Sequence, residues 1–298
     1  MTLTGRLTPE LRDLEWVISS PFLLADMPSP DLATHPETVR LLSELRKDPT
    51  PLLKHLQNIK RHTLGSYFEQ LVIFWLSNLP SVTVVAANLQ VQHGTQTIGE
   101  FDLLFEFDGR AYHWELSVKF YLNTGTGRNE ADFVGPLKKD NLGKKLDRLY
   151  GHQLTLPGRP DAIKLLSNLG MADVTSFPWV KGALFQPFAT RQSVSLPPRI
   201  STACSLGVWT SLDALPTLSL PAFNHFILLQ KRRWLTSEHY ADEAYQGGRS
   251  AFNTEVSEFL RRHNSPVLGC LLSNQDGEPL PEIYRLFIVP NDWQRLSV

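Results

Sequence analysis

The pair Asp108-Gly109, set between the apolar runs TIGEFDLLFEF and AYHWELSVKFYL, constrains the fold of this chain more than any other two residues. A two-residue type I′ turn needs positive φ at both central positions, and Asp-Gly meets that need at low steric cost. The flanking runs are rich in Val, Ile, Phe, Tyr and Trp and alternate as strands do. With Phe107 facing Arg110 across the turn, the numbers of paired residues sum to a constant. Asp102 then lies directly opposite Glu115. Cβ atoms in such cross-strand pairs are roughly 4.5–5.5 Å apart.

Two carboxylates so placed repel one another. The even-numbered Tyr112, Trp114, Leu116, Val118 and Phe120 form one apolar face, while Glu115, Ser117 and Lys119 share the other. Around Asp102, Phe101, Leu103, Leu104 and Phe105 put bulky groups on both faces. This is the pattern of a buried strand, where an acid needs a partner. A divalent cation or an ammonium would compensate the pair. Two carboxylates with a main-chain carbonyl, that of Leu116, suit Mg²⁺ (or Mn²⁺), which takes hard oxygen ligands. Lys119 would then orient a water or steady charge developing on a phosphate. The competing reading is a half-exposed hairpin whose outer face happens to carry Glu115 and Lys119. Glu100 rivals Asp102 as a ligand, and His113 on the polar face either reaches the site or is structural.

Around this hairpin the chain reads as helical from residue 9 to about 60, broken by the proline-punctuated LLADMPSPDLATHPE. An apolar helix follows in TLGSYFEQLVIFWLSNLP, then a strand in SVTVVAANLQVQ. After the hairpin, the basic segment GPLKKDNLGKKLDRLYGHQL reads as a helix beyond Pro136, and VKGALFQPF as another strand. The stretch ATRQSVSLPPRI is the best boundary before a region of mixed signals, with HFILLQKRRWL, a polar helix near TEVSEFLRRH, and IYRLFIVP. The expected divisions are a helical extension at 1–60, a core at 61–190 and a C-terminal α+β region at 201–298.

This order of elements, a helix with Glu69, a strand, a strand with Asp102, a turn, a strand with Glu115 and Lys119, a helix and a strand, resembles the αβββαβ core of the PD-(D/E)XK nuclease superfamily. The windows LGSYFEQL, TIGEFDLL, HWELSVKFYL and FVGP further resemble a bacterial domain-of-unknown-function family placed in that superfamily. The resemblance implies an α/β, restriction-endonuclease-like core with a mixed sheet flanked by helices. It maps the motif aspartate onto Asp102, the acid of the (D/E)XK element onto Glu115, and the first-helix acid onto Glu69. The motif lysine position holds Ser117, and Lys119, two residues on, returns to the same strand face. Gln153 resembles a polar helix residue that sits by the active site in some members; a surface position is the alternative.

Other candidates have plain readings beside the functional ones. Glu69 follows Ser66 by three residues, as in a capping box. Lys138, Lys139, Lys144, Lys145 and Arg148 would contact phosphates or form a solvated helix face. Lys231, Arg232 and Arg233 beside Trp234 would grip and stack on a strand, or mark an element's end.

Lys and Arg number 29 against 30 Asp and Glu, a net charge of −1, so attraction to a polyanion must come from local patches or metal ions. The N-terminal sequence lacks a basic and then apolar leader, and no stretch is long enough to cross a bilayer, giving the expectation of a cytoplasmic protein without a membrane partner. Cys204 and Cys270 lack CxxC spacing and read as buried small hydrophobes. No Walker loop, GxSxG elbow or HExxH pattern occurs. The expected activity is Mg²⁺- or Mn²⁺-dependent phosphodiester hydrolysis on nucleic acid, DNA or RNA. The alternative is a catalytically silent protein of the same fold that binds nucleic acid or a protein partner.

Overall fold

A computed structural model of the chain describes residues 7–25, 30–59, 63–190, 195–236, 238–273 and 279–293. They form two units, Met1–Val118 with Leu146–Lys181, and Lys119–Lys145 with Gly182–Val298. The fold class is α/β, with mixed sheet flanked by helices.

The first unit opens with α1 (Pro9–Ser19), α2 (Pro36–Lys47), α3 (Thr50–Gln57) and α4 (Leu64–Ser77). Proline at the first turn and side-chain caps start α1 and α2: Thr8 Oγ1 accepts from Leu11 N, and His35 Nδ1 from Glu37 N. The N-terminal helices do not stand apart from the core, because the Tyr67 hydroxyl on α4 donates to Asp13 Oδ2 on α1 at 2.9 Å. Strands β1 (Val82–His93), β2 (Gln96–Phe107), β3 (Arg110–Asn123) and β5 (Thr175–Pro187) are neighbours in that order, with β1–β2 and β2–β3 antiparallel. Helix α4 is apolar nearly all round because it is buried: Phe68, Leu71, Val72, Trp75 and Leu76 are all excluded from solvent. Its Trp75 packs on Trp114 of β3 and Trp179 of β5, whose rings stack 4.0 Å apart. The opposite face of β2, carrying Leu104, packs with Val91, Leu156 and α6 (Pro160–Asn168).

The hairpin turn forms as expected, with φ of 50° at Asp108 and 69° at Gly109. Its register runs from Phe107↔Arg110 to Leu103↔Trp114 and ends there. Beyond that pair, β2 stays with β1 as far as His93↔Gln96, while β3 continues to a pairing with β4 (Phe133–Val134) at Leu122 and Asn123. In β1, Asn88 takes a left-handed φ of 52° and falls in the gap between the pairs Leu89↔Phe101 and Ala87↔Leu103. The partner it would have had is Asp102. The strands therefore fork where the first expected carboxylate sits.

The second unit begins at Lys119 within β3, runs through Lys145, and resumes at Gly182 within β5. Its sheet takes the order β5, β6 (Ser205–Ser211), β11 (Pro279–Val289), β10 (Val267–Leu272), β7 (His225–Leu229), β9 (Tyr245–Gln246), and β8 (Glu238–Tyr240) pairs β11. The β5–β6 and β6–β11 ladders are parallel and the others antiparallel. Helix α7 (Arg249–His263) buries Phe252, Val256 and Leu260 in a core with Phe226, Leu271 and Leu286, and ends on Asn264 in the left-handed region. Both cysteines are buried. Among the described residues no helix is long and apolar enough to cross a membrane.

The expected boundary at 189–200 does not coincide with the division into units, and its residues 191–194 lie outside those described. The division falls instead inside β3 and β5.

Two adjacent residues of β5 yield predictions. Lys181 is 2% exposed. Its ammonium donates to the Ser20 carbonyl and lies 4.0 Å from the centre of the Phe22 ring. Burial pulls its pKa down to about 7. The unfolded chain holds that proton up to the ordinary lysine range and the folded chain does not, so the penalty is complete below pH 7 and fades as pH rises toward 10.5. Urea unfolding should show wild type gaining on Lys181→Met, by on the order of 3 kcal/mol between pH 7 and 10; parallel pH profiles would contradict it. Gly182 has φ of 140°, and a Cβ there would lie 1.7 Å from the Lys119 carbonyl oxygen. Gly182→Ala should cost on the order of 3 kcal/mol or more in the same assay, against about 0.5 kcal/mol for an indifferent site.

Candidate metal centre at the strand fork

Where β2 leaves β3, the amide of Leu116 loses its place in the ladder, and the side chain of Asp102 takes over. Asp102 Oδ2 accepts from Leu116 N at 2.8 Å. An amide in a buried strand needs an acceptor, and a carboxylate gives a stronger bond than a peptide carbonyl does. Asp102 is half-buried and Glu115, the residue before Leu116, is only 2% exposed. The fork thus brings the first expected acid to the backbone immediately beside the second.

Glu115 Oε1 accepts from the Gln153 amide. Gln153 ends a single π-helical turn, Leu149–Gln153, that follows α5 (Leu142–Arg148) and is closed by Leu154 N donating to Leu149 O at 2.9 Å. Such a turn holds one residue more than an α-turn needs and is frequent at functional sites. Of the two positions weighed for Gln153, the structure takes the one beside Glu115. His113, fully buried, directs Nε2 toward Glu115 Oε2 at 3.8 Å and has Nδ1 3.1 Å from Ser176 Oγ. Burial lowers its pKa to about 4, so the imidazole is neutral at physiological pH and supplies no positive charge to Glu115. Phe101 closes the ring edge-on at 4.9 Å. Glu100, the rival ligand, is exposed and pairs across to Gln90.

The model of one protein family, described as a domain of unknown function (DUF1853), matches residues 12–289. The chain belongs to this family. No curated protein and no solved structure matches it.

The remaining candidates in this DUF1853 chain are dispersed. Helix α4 is capped by Thr63, whose hydroxyl accepts from Ser66 N at 3.2 Å. Glu69 therefore sits in the second turn, half-buried, and the capping-box reading fails because the helix begins three residues earlier than that reading needs. Ser117, at the motif lysine position, is buried. Lys119 belongs to the second unit, where its ammonium pairs with Asp140 Oδ2 at 3.1 Å and the Tyr121 hydroxyl donates to the same oxygen at 3.0 Å. The aspartate and the burial of the hydroxyl together push the Tyr121 pKa up, burial being the larger cause.

The basic segment is only partly helical. Gly135 N bonds to Asp140 O, Lys138 takes a φ of 53°, and α5 starts at Leu142, with Asn141 Oδ1 accepting from Lys144 N. Lys138 and Lys139 thus lie in a turn before the helix, Lys144 and Arg148 are exposed on it, and Lys145 is half-buried. Trp234 is 6% exposed, packed edge-on against Phe120 and Phe287, so it offers no face for a base to stack on. Among the described residues no three His, Cys, Asp or Glu side chains group around a point that would hold a metal ion. Among the described residues the oxygen donors at the fork are the carboxylates of Asp102 and Glu115 and the backbone, with the His113 ring beside Glu115.

Asn at position 102 can still accept from the Leu116 amide, whereas Ala cannot. Asp102→Ala should lose 1–3 kcal/mol of stability through the stranded amide, and Asp102→Asn about 1 kcal/mol or less, by urea unfolding. Equal losses would show that the bond does not hold the fork together.

Proposed function

We propose that this chain is a nuclease of the PD-(D/E)XK kind, hydrolysing phosphodiesters of nucleic acid with Mg²⁺ or Mn²⁺ held by Asp102, Glu115 and the main-chain carbonyl of Leu116. The observation that carries the reading is the bond from Leu116 N to Asp102 Oδ2, because it holds the two acids at consecutive points along one stretch of backbone. The order α4, β1, β2, β3, α5, β5, with β4 inserted before α5 and α6 before β5, supports it, as does the Gln153 amide on Glu115. Hard oxygens from two carboxylates and a carbonyl are the donor set that Mg²⁺ accepts, with waters completing its shell. The nearly complete burial of Glu115 beside a neutral histidine suits a group that would hold a cation.

The ion would supply charge to a phosphoryl oxygen and lower the pKa of a water. The protein groups do the rest. Asp102 is fixed by a backbone amide, Glu115 is aimed by Gln153, and His113 fills the space behind Glu115 with its neutral ring. Glu69 stays an accessory in this reading, through its place on α4. The proposed centre draws only on first-unit residues.

A second reading, a protein of this fold that binds nucleic acid without cutting it, is favoured by Ser117 at the lysine position and by the commitment of the Lys119 ammonium to Asp140. Calorimetric titration of Mn²⁺ into wild type, Asp102→Asn and Glu115→Gln, with cleavage assays on single- and double-stranded DNA and RNA, separates the two. The nuclease reading expects saturable heat in wild type alone and at least about a 10²-fold loss of cleavage in both variants. Equal weak heats in all three proteins, with no cleavage, leave the binding reading.

A further inference from the structure

Away from the fork, three lysines distant in the chain are gathered on the second unit. Phe120, next to Lys119 on β3, packs against Trp234 with ring centres 5.4 Å apart. Lys231, on the turn after β7, has its ammonium 5.9 Å from the same tryptophan ring. Lys119 pairs with Asp140, and Lys139 is the residue before that aspartate. A buried aromatic contact and a half-buried ion pair thus tie together a strand, the turn before α5 and the turn after β7. Lys231 is exposed as a residue, but partial desolvation of its ammonium beside Trp234 and then the positive charges of Lys119 and Lys139 hold its pKa below the ordinary value.

Asp140 offsets only one of these charges. Lys139 and Lys231 are exposed, and among the described residues neither has an ion-pair partner. Arg233, on the same turn as Lys231, is taken by Glu243 at 3.0 Å. The aromatic rings beneath are structural: Trp234 donates to Leu229 O, and Trp293, under Lys138 at 4.8 Å, donates to Pro136 O. Lys139 and Lys231 therefore present exposed ammonium groups above buried, hydrogen-bonded tryptophans, which offer no face for a base to stack on. Such a surface recognises a chain of phosphates by charge, without reading the bases.

We propose that Lys119, Lys139 and Lys231 form a docking surface for the phosphodiester backbone of nucleic acid, independent of sequence. A net charge of −1 gives no overall attraction, so a local patch is where binding of a polyanion must start. The proposal rests on the nucleic-acid reading above but not on the metal centre.

The test is fluorescence anisotropy with labelled single- and double-stranded DNA 20-mers of mixed sequence, in EDTA, at 25–200 mM salt. Wild type should bind both, with log Kd rising with log salt at a slope of about 2, as expected for roughly two phosphate contacts made by Lys139 and Lys231 while Asp140 offsets Lys119. Lys139→Glu/Lys231→Glu should bind at least 10-fold more weakly, with the slope reduced by 1 or more, and should melt within about 3 °C of wild type because both residues are exposed. Unaltered affinity in the double variant, no binding by wild type at 25 mM salt, or equally tight displacement by polyglutamate would each overturn the proposal. Failure of the metal centre alone appears differently, as intact charge-dependent binding without cleavage.

Discussion

The parting of β2 from β3 after Leu103↔Trp114 governs the architecture of the first unit. A hairpin with a two-residue turn has every reason to stay zipped, because each further pair satisfies two backbone groups. Here the strands separate, β2 following β1 and β3 going on to β4, and the backbone polar groups at the branch must be satisfied by something else. The carboxylate of Asp102 does this for Leu116. The acid that closes the branch thereby comes to the backbone immediately beside Glu115.

This coincidence bears on how the acids should be weighed. A carboxylate that accepts a main-chain amide has a sufficient reason to exist without a metal, and the same is true of Glu115 with Gln153. The two reasons differ in what they tolerate. An amide side chain can replace a carboxylate as acceptor, but it cannot replace the charge that a divalent ion needs. Stability and metal affinity are therefore separable properties of one residue.

Much of this was legible in the residues. Asp108-Gly109 set the turn and the register of β2 with β3; alternation along 112–120 separated Trp114 from Glu115 and Ser117, but the face read as polar is also buried, with His113, Glu115 and Ser117 all shielded from solvent. The end of the ladder at Leu103↔Trp114 was not legible, because nothing in the alternation of either strand marks where the two part. The cap of α4 was misplaced because Thr63 and Ser66 are equally good capping types, and only the geometry distinguishes them. Asp140 gave no signal as the partner of Lys119, since an exposed acid in a lysine-rich turn looks like ordinary charge balance. Trp234 beside three cations suggested a stacking face, yet the packing of Phe120 and Phe287 around it turned it inward.

The π-turn at Leu149–Gln153 places part of the site's specification in chain length and not in residue type. An α-helix advances by about 100° per residue, so the one additional residue in the turn rotates everything after it by roughly that angle. A chain with every side chain of this segment preserved but one residue fewer would aim its glutamine away from Glu115. Residue-by-residue identity would then score such a chain as equivalent while the carboxylate had lost its amide. The contact between Gln153 and Glu115 is written partly as an insertion, a kind of information that a motif built from residue letters does not record.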